Sequence, residues 1–170
     1  NITENTALEE LYAGTNNFTS LNVAQNTNLK KLSLAYNELN SIDLTNNLQL
    51  THLRIEDNEL ATIDITRNEL LEEVNLQGNQ LSNIFLVSNT KLTHLFVPNN
   101  NLNTIDVSHN QLLQRLGVSN NNLANLDVST QENLQFLYTE GNNLSCVSVF
   151  NVAYANQQFT QFADDTTIFV

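Results

Sequence analysis

The chain has few of the residues that cross-link a small protein or bind an anionic partner. Its 170 residues include no Trp or Met, one Pro, four Gly and a single Cys, Cys146. One cysteine excludes an internal disulfide. Six Lys or Arg stand against 18 Asp or Glu, a formal charge of −12. This balance argues against nucleic acid as a partner, because phosphate binding needs clustered cations. No apolar run is long enough to span a bilayer, so we expect no membrane insertion.

Leucine and asparagine recur every 21 residues along most of the chain. The leucines are Leu8, Leu29, Leu50, Leu71, Leu92, Leu113 and Leu134. The asparagines are Asn16, Asn37, Asn58, Asn79, Asn100, Asn121 and Asn142. One unit repeated at a fixed period predicts a solenoid, in which each coil buries its apolar side against its neighbours.

We number the positions of each coil from these leucines, so that Leu29 is position 1 of the second coil. Positions 4 and 6, such as Leu32 and Leu34, are apolar and two residues apart, which places both on one face of a short strand. Stacking then joins the strands into a parallel sheet with neighbours about 4.8 Å apart. The second half of each coil alternates in the same way, as in Ile42 and Leu44. It predicts extended or tight-turn backbone rather than a regular α-helix.

Two rows of asparagine are predicted to hold the turns of the coil together. Position 9 follows the strand, and an asparagine there can satisfy backbone groups that stacking buries. We assign this structural role to Asn37, Asn58, Asn79, Asn100, Asn121 and Asn142. A second row at position 19 would serve the other corner: Asn26, Asn47, Asn68, Asn89, Asn110 and Gln131.

The segment Leu29-Lys-Lys-Leu32-Ser-Leu34-Ala-Tyr-Asn37-Glu-Leu39 resembles the leucine-rich-repeat family. The second half, Ile42-Asp-Leu44-Thr-Asn-Asn47, is similar to internalin-like repeats of surface and secreted proteins from Bacteroidetes, especially marine flavobacteria. The ending Asn142-Asn-Leu-Ser-Cys146-Val-Ser-Val is similar to the same set. The resemblance implies an α/β-class leucine-rich-repeat solenoid, mostly β with little helix, and a secreted or cell-surface location. We expect a gently curved, right-handed coil, because the return leg is thin.

Three segments are predicted along the chain. Residues 1–7 form a partial lead-in, residues 8–144 hold the leucine-rich repeats, and residues 145–170 form a C-terminal cap. Seven units of 21 residues run from residue 8 to residue 154, so the last unit extends into the cap. Within the cap, residues 153–162 suit a short helix and residues 166–170 an edge strand.

In this family the outward positions of the sheet, 3, 5, 7 and 8, usually carry recognition. Four of the six Lys and Arg residues lie on or beside this face: Lys30, Lys31, Arg54 and Arg115. Five aromatic residues are expected there: Tyr12, Tyr36, Phe96, Phe136 and Tyr138. Aromatic and Arg side chains outside a core are the usual anchors of binding surfaces. The predicted ligand-binding residues are Phe96, Arg115, Phe136, Tyr138, Arg54, His94 and Tyr36. In the alternative interpretation, aromatics on neighbouring strands only stabilise the sheet.

Two further rows could suggest metal binding. His52 and His94 flank Glu73 at position 3, but the two histidine backbones are about 10 Å apart, so we expect a solvated face without metal. At position 15, calcium would offset the repulsion within a row of aspartates. However, each aspartate precedes a Ser or Thr by two residues, which favours local bonds to the backbone. These aspartates are Asp43, Asp64, Asp106 and Asp127.

The sequence favours a non-catalytic function. It contains no glycine-rich phosphate loop and no zinc-type spacing, so we expect neither catalysis nor a cofactor. The main hypothesis is a monomeric binding module that recognises a protein or a surface polysaccharide through the sheet face. The alternative is a structural spacer of an adhesin or surface protein with no specific ligand.

Overall fold

A computed structural model describes residues 2–170 and shows one continuous stack of short coils; residue 1 of the predicted lead-in lies outside the described residues. Each coil contributes a three-residue strand to a seven-stranded parallel sheet. In sheet order the strands are β1 (Glu10–Tyr12), β2 (Lys31–Ser33), β3 (His52–Arg54), β4 (Glu73–Asn75), β5 (His94–Phe96), β6 (Arg115–Gly117) and β8 (Phe136–Tyr138). Every pair is in register, as when Lys31 pairs with His52. The predicted parallel-sheet solenoid with 21-residue spacing and little helix is confirmed.

The return legs form a second, smaller sheet at the C-terminal end of the stack. Strands β7 (Leu126–Val128) and β9 (Cys146–Val149) pair in parallel, and β10 (Ile168–Phe169) adds to the outer side of β9. In the part of the chain that the structure describes, the return legs of earlier coils contain bends and turns without strand pairing. Twenty-one residues leave no room for a helix on this side once the strand and both corners are formed.

The core is a continuous column of aliphatic side chains enclosed by the coils. The middle residue of each strand points inward, and Leu32, Leu53 and Leu95 are at most 1% exposed. Position 1 contributes equally buried leucines such as Leu50 and Leu71. The alternation predicted from positions 4 and 6 therefore produces one dry interior and one outward-facing row of side chains on each side of position 4.

The asparagines at position 9 join each coil to the one before it. The Asn58 side-chain amide donates to the Leu34 carbonyl at 3.0 Å, and its oxygen accepts from the Leu39 N–H at 3.0 Å. Asn100 and Asn121 repeat this pattern one coil at a time. These bonds satisfy backbone groups that would otherwise be buried without partners.

The asparagines at position 19 are more deeply buried and act mainly as donors. The amide of Asn47, which is fully buried, donates to the carbonyls of Val23 and Asn26 at 3.0 and 2.9 Å. Its side-chain oxygen accepts no hydrogen bond from the described residues. The amide nitrogen is therefore the part of this side chain that ties adjacent coils together.

Position 8 has a left-handed backbone in each of the seven described coils. Its φ values lie between 53° and 71°, and the residues are Thr15, Tyr36, Asp57, Gly78, Asn99, Asn120 and Gly141. Gly, Asn and Asp accept this conformation readily, whereas an aromatic residue rarely does. The chain turns sharply here, just beyond the strand. Tyr36 therefore stands at the corner of the coil and not on a strand.

The C-terminal segment covers the last coil. The sequence predicts a helix over residues 153–162; the structure has α1 (Val152–Gln158) followed by a 3₁₀ turn (Thr160–Phe162). Asn151 caps α1 by accepting from the Tyr154 N–H at 3.0 Å. Phe159 and Phe169 are buried against the core and meet edge to face with ring centres 6.2 Å apart. The predicted edge strand corresponds to β10.

Candidate functional site

The outward side of the seven-stranded sheet carries two parallel rows of side chains, which together we call the sheet face. Position 3 contributes Glu10, Lys31, His52, Glu73, His94, Arg115 and Phe136. Position 5 contributes Tyr12, Ser33, Arg54, Asn75, Phe96, Gly117 and Tyr138. Both rows point away from the core because position 4 between them points inward. Registered pairing aligns each row across the sheet, with a step of about 4.8 Å per strand.

Large and small side chains alternate along position 5, and this alternation leaves two hollows in the face. The first hollow, about 410 Å³, has Leu32 and Ser33 at its floor. Its rim consists of Tyr12, Lys31, His52, Arg54 and Glu73. The second hollow, about 300 Å³, has Val74 and Asn75 at its floor. Its rim consists of Arg54, Glu73, His94, Phe96 and Arg115.

The two hollows are copies of each other, displaced by two coils. Each residue that lines the second hollow lies two coils after a residue that lines the first, so Asn75 corresponds to Ser33 and His94 to His52. The separation between the hollows is about 9.6 Å, twice the spacing of strands. The face therefore presents the same shape twice along the axis of the solenoid.

Arg54 and Glu73 form the ridge between the hollows. Their closest side-chain atoms, Arg54 Nη2 and Glu73 Oε2, are 3.6 Å apart, and His52 Nε2 lies 3.8 Å from Glu73 Oε1. The Arg54 side chain is 57% exposed. An ion pair this long and this exposed contributes little to stability, so Arg54 can exchange Glu73 for another carboxylate at small cost.

Other charges around the first hollow are paired within the chain. Lys31 Nζ lies 2.9 Å from Glu10 Oε1, and Lys30 Nζ lies 2.7 Å from Glu9 Oε2. The hydrogen bond from Lys31, with a second from the Tyr12 hydroxyl, holds the pKa of Glu10 below its ordinary value. The bond to Glu10 also raises the pKa of Lys31. Lys31 is therefore a fixed positive charge at the rim.

Phe96 leans along the sheet and covers Gly117 on the next strand. A Cβ on Gly117 would stand 2.8 Å from the Phe96 ring, so only glycine leaves this space free. The ring consequently forms the far wall of the second hollow. The Phe96 ring fills the hollow that would otherwise form above Gly117. The alternation along position 5 therefore gives two hollows and not three.

Arg115 packs on an aromatic ring and lacks a carboxylate partner. Its guanidinium carbon lies 4.7 Å from the centre of the Phe136 ring, a cation–π contact. Among the described residues, no Asp or Glu forms an ion pair with Arg115. The side chain is exposed and lines the second hollow. It is thus an oriented positive charge available to a ligand.

The cap brings Phe162 onto the face beside Tyr138, with ring centres 4.7 Å apart. The Thr139 N–H donates to the Phe162 carbonyl at 2.8 Å, in the way that the Val118 N–H donates to the Tyr138 carbonyl one coil earlier. Phe162 therefore occupies the place that position 5 of a further coil would hold. Asp164 accepts from the N–H groups of Gly141 and Asn142 at 3.0 and 3.3 Å, where a backbone carbonyl would otherwise lie.

The structure places the predicted ligand-binding residues in three groups. Arg54, His94, Phe96 and Arg115 line one hollow, and Phe136 supports Arg115 from the neighbouring strand. Tyr138 is partly covered by the cap. Tyr36 is 58% exposed at the left-handed corner and lines neither hollow.

Sequence reasoning missed Ser33 and Asn75, whose small size opens the hollows, and Phe162, which lies outside the repeats. The first two could have been found from the alternation of size along position 5. Phe162 has no comparable signal, because the 21-residue period stops before it.

The position-15 aspartates are held within their own turns. Asp43 Oδ1 accepts from the Thr45 hydroxyl at 2.6 Å and from the Thr45 N–H at 2.9 Å, and Asp64 does the same with Thr66. Bonds from the hydroxyl and then the N–H lower the pKa of Asp43, Asp64, Asp106 and Asp127. The local bonds predicted for this row are present. In residues 2–170, no group of three His, Cys, Asp or Glu side chains has the geometry to hold a metal ion.

No helix in residues 2–170 combines the length and the apolar character that crossing a membrane requires.

Comparison with known proteins identifies structural relatives but not a matching sequence family. No family model and no curated protein sequence matches the chain. The functional domain of InlJ from Listeria monocytogenes, which includes a cysteine ladder, is similar at 30% identity and a TM-score of 0.69, over 87% of this chain and 40% of that structure. A leucine-rich-repeat protein of Leptospira interrogans aligns at 23% identity and a TM-score of 0.78, over 86% and 40%.

An internalin, inlF of Listeria monocytogenes, aligns at 17% identity and a TM-score of 0.63, over 98% of this chain and 64% of that structure. The chain thus spans less than two thirds of each of these three structures. Where InlJ has a cysteine ladder, this chain has a single cysteine, and its stacked rows are asparagine. The chain has the leucine-rich-repeat fold in its internalin-like form.

Proposed function

We propose that this chain is a non-catalytic binding module that recognises a protein through its sheet face. The observation that carries the proposal is the pair of hollows. Both are lined by cations and by an aromatic ring that the core does not need, and no described segment of the chain covers them. Exposed aromatic and arginine side chains around a concave site are typical of binding surfaces.

The distribution of charge supports the same function. The protein has a net charge of −12, yet four of its six Lys and Arg residues lie on or beside the sheet face. The other two, Arg67 and Lys91, are exposed elsewhere on the coil. Of the side chains that line the two hollows, Lys31, Arg54 and Arg115 are cationic and Glu73 is anionic. An excess of one charge in a cleft attracts a ligand of the opposite charge.

The structural neighbours support a binding role without naming a ligand. InlJ's functional domain has the same repeat architecture over most of this chain. From the resemblance we further propose a secreted or cell-surface location and a monomeric state. The flavobacterial origin suggested by the sequence stays a prediction.

A spacer without a ligand is the competing function. It would use the aromatic residues only to stabilise the sheet, and the contact of Phe96 with Gly117 fits that role. A spacer does not explain why Tyr12 is 64% exposed or why Arg115 is exposed without a carboxylate partner among the described residues. These two residues favour the binding module.

The test is a protein and glycan array probed with the purified domain and two pairs of variants. Phe96→Ala is matched by Phe85→Ala, which removes a ring that is 65% exposed on the return side. Arg115→Glu is matched by Arg67→Glu. We expect capture of a protein that falls about tenfold or more with Phe96→Ala and Arg115→Glu, and stays unchanged with the two controls. Equal effects of both members of each pair would contradict the assigned face. The absence of any captured ligand would favour the spacer. Capture of glycans alone would show that the ligand is a polysaccharide and not a protein.

A further inference from the structure

The two equivalent hollows define the spacing of the groups that a ligand must present. Side chains of one ligand that enter both must lie about 9.6 Å apart along the solenoid axis, since two strand steps separate Ser33 from Asn75. This distance, together with the charge of the rims, identifies a ligand class more closely than the proposed function does.

A peptide matches this spacing in one backbone conformation. Polyproline II rises about 3.1 Å per residue with three residues per turn, so every third side chain lies on the same side at intervals of about 9.3 Å. An extended β-strand fails, because side chains on one face recur about every 6.6 Å and the third residue points away. An α-helix repeats on one face about every 5.4 Å, and two turns span about 10.8 Å, which exceeds the separation of the hollows by about 1.2 Å.

Each hollow offers the same kind of partner to the entering group. A side chain in the first hollow meets Lys31, which is paired with Glu10, and also His52 and Arg54. One in the second hollow meets Arg54, His94 and Arg115. Glu73 lines both hollows, so each holds two cations against one carboxylate. Arg115 is free of carboxylates in the described residues, and the long pair between Arg54 and Glu73 is easily exchanged. These rims favour a carboxylate, because Arg binds carboxylates with two parallel hydrogen bonds.

The aromatic residues at the outer ends fit the same ligand. Tyr12 bounds the first hollow and Phe96 the second, so two rings flank the groove along its axis. Grooves lined with aromatic rings are the usual receptors of polyproline II segments, which bind at low entropic cost because they are ordered beforehand.

We propose that the sheet face binds an acidic peptide segment in the polyproline II conformation, with a carboxylate at every third residue entering the two hollows. This inference rests on the proposed function and narrows it to one ligand chemistry.

The probe is a fluorescein-labelled peptide of repeated Glu-Pro-Pro units, measured by fluorescence anisotropy against the whole chain. Two control peptides separate charge from spacing. Repeated Gln-Pro-Pro keeps the conformation without the charge. Repeated Glu-Pro-Glu-Pro-Pro-Pro keeps the composition but places the glutamates two and four residues apart instead of three. We expect both controls to bind about tenfold or more weakly, since each loses charge-assisted hydrogen bonds in at least one hollow.

Variants of the chain test the location of the bound peptide. Ser33→Trp fills the first hollow and Asn75→Trp fills the second, and each should weaken the Glu-Pro-Pro peptide about tenfold or more. Arg115→Glu should do the same without filling a hollow, while Arg67→Glu should leave the affinity unchanged. Arg115→Glu keeps the test decisive if either tryptophan variant fails to fold.

Three results would overturn the inference. The first is no saturable binding of the Glu-Pro-Pro peptide, and the second is equal affinity for the Glu-Pro-Pro and Glu-Pro-Glu-Pro-Pro-Pro peptides. The third is an equal effect of Arg115→Glu and Arg67→Glu on the affinity. Polygalacturonate serves as an acidic polysaccharide probe. If it binds in a manner that depends on Asn75 while the peptide does not, the ligand is a carbohydrate. A protein captured through Phe96 and Arg115 on the array, combined with failure of the peptide, would refute the acidic polyproline ligand and leave the proposed function standing.

Discussion

The ring of Phe96 lies over Gly117 on the adjacent strand, so closely that a methyl group at Gly117 would stand 2.8 Å from the ring. The backbone of Gly117 does not have a positive φ, so an alanine there is disfavoured only by this contact. The contacting group is the edge of the Phe96 ring, and this side chain can rotate away.

Gly117→Ala should therefore move Phe96 without unfolding the coil. We expect the aromatic resonances of Phe96 to shift in a spectrum of selectively labelled phenylalanine, while amide resonances outside β5 and β6 stay in place. The affinity of any ligand of the second hollow should fall, because its far wall moves. A Phe96 signal that does not change would show that the ring does not occupy the space above Gly117.

Asn47→Asp should destabilise the stack strongly. Asp keeps the side-chain oxygen but cannot donate to the carbonyls of Val23 and Asn26, and it adds a buried charge. We expect a loss of about 3 kcal/mol or more in the free energy of unfolding at neutral pH, measured by urea denaturation. The exposed neighbour Asn46 is the matched control, and Asn46→Asp should change the free energy by less than about 0.5 kcal/mol. Similar losses in both variants would contradict the donor role of position 19.

Asp164→Ala should loosen the cap, because the N–H groups of Gly141 and Asn142 lose their acceptor. The expected cost is about 1–2 kcal/mol in the free energy of unfolding, with faster amide hydrogen exchange at these two residues. Asp165, the exposed neighbour, provides the control, and Asp165→Ala should leave both measurements unchanged. Unaltered exchange at Gly141 in the Asp164 variant would show that the carboxylate does not close the sheet.

The four turn aspartates should make stability fall in acid. Their pKa values are lowered in the folded chain by bonds from Thr45, Thr66, Ser108 and Ser129, so the unfolded chain takes up protons first as the pH decreases. This contribution is complete above about pH 5 and is lost as the pH falls through the ordinary pKa of Asp and then through the lowered values.

Replacing Asp43, Asp64, Asp106 and Asp127 by Asn keeps an acceptor in each turn and removes the ionisable group. The free energy of unfolding of this variant, followed by urea denaturation at decreasing pH, should fall less steeply below pH 4 than that of the parent chain. Parallel curves would show that these turns do not link folding to protonation.

The period of the sequence was sufficient to predict the register of the fold. Leucine and asparagine at fixed intervals must occupy equivalent environments, so Leu32 had to pair with Leu53. Asn37 and Asn58 had to occupy the same corner of successive coils, and each donates to the carbonyl of position 6 in the coil before it. The same logic placed Phe96, Arg115 and Phe136 on neighbouring strands.

The shape of the binding face depends on side-chain directions that a period does not contain. Phe96 fills the space over Gly117, and Arg54 turns towards Glu73, so the hollows lie above Ser33 and Asn75. Tyr36 was assigned to the face from its position number alone, whereas its positive φ puts it at the corner. Phe162 reaches the face through the non-repeating tail, where no pattern predicts its place.

The way in which the tail meets β8 bears on the solubility of the protein. A parallel sheet that stopped at β8 would leave the N–H groups of Thr139, Glu140 and Gly141 bare, and a row of bare donors recruits strands from other molecules. Here Phe162 accepts from the first two and Asp164 from the third. These three donors are thereby unavailable to a strand from another molecule, which disfavours edge-to-edge pairing just beyond β8.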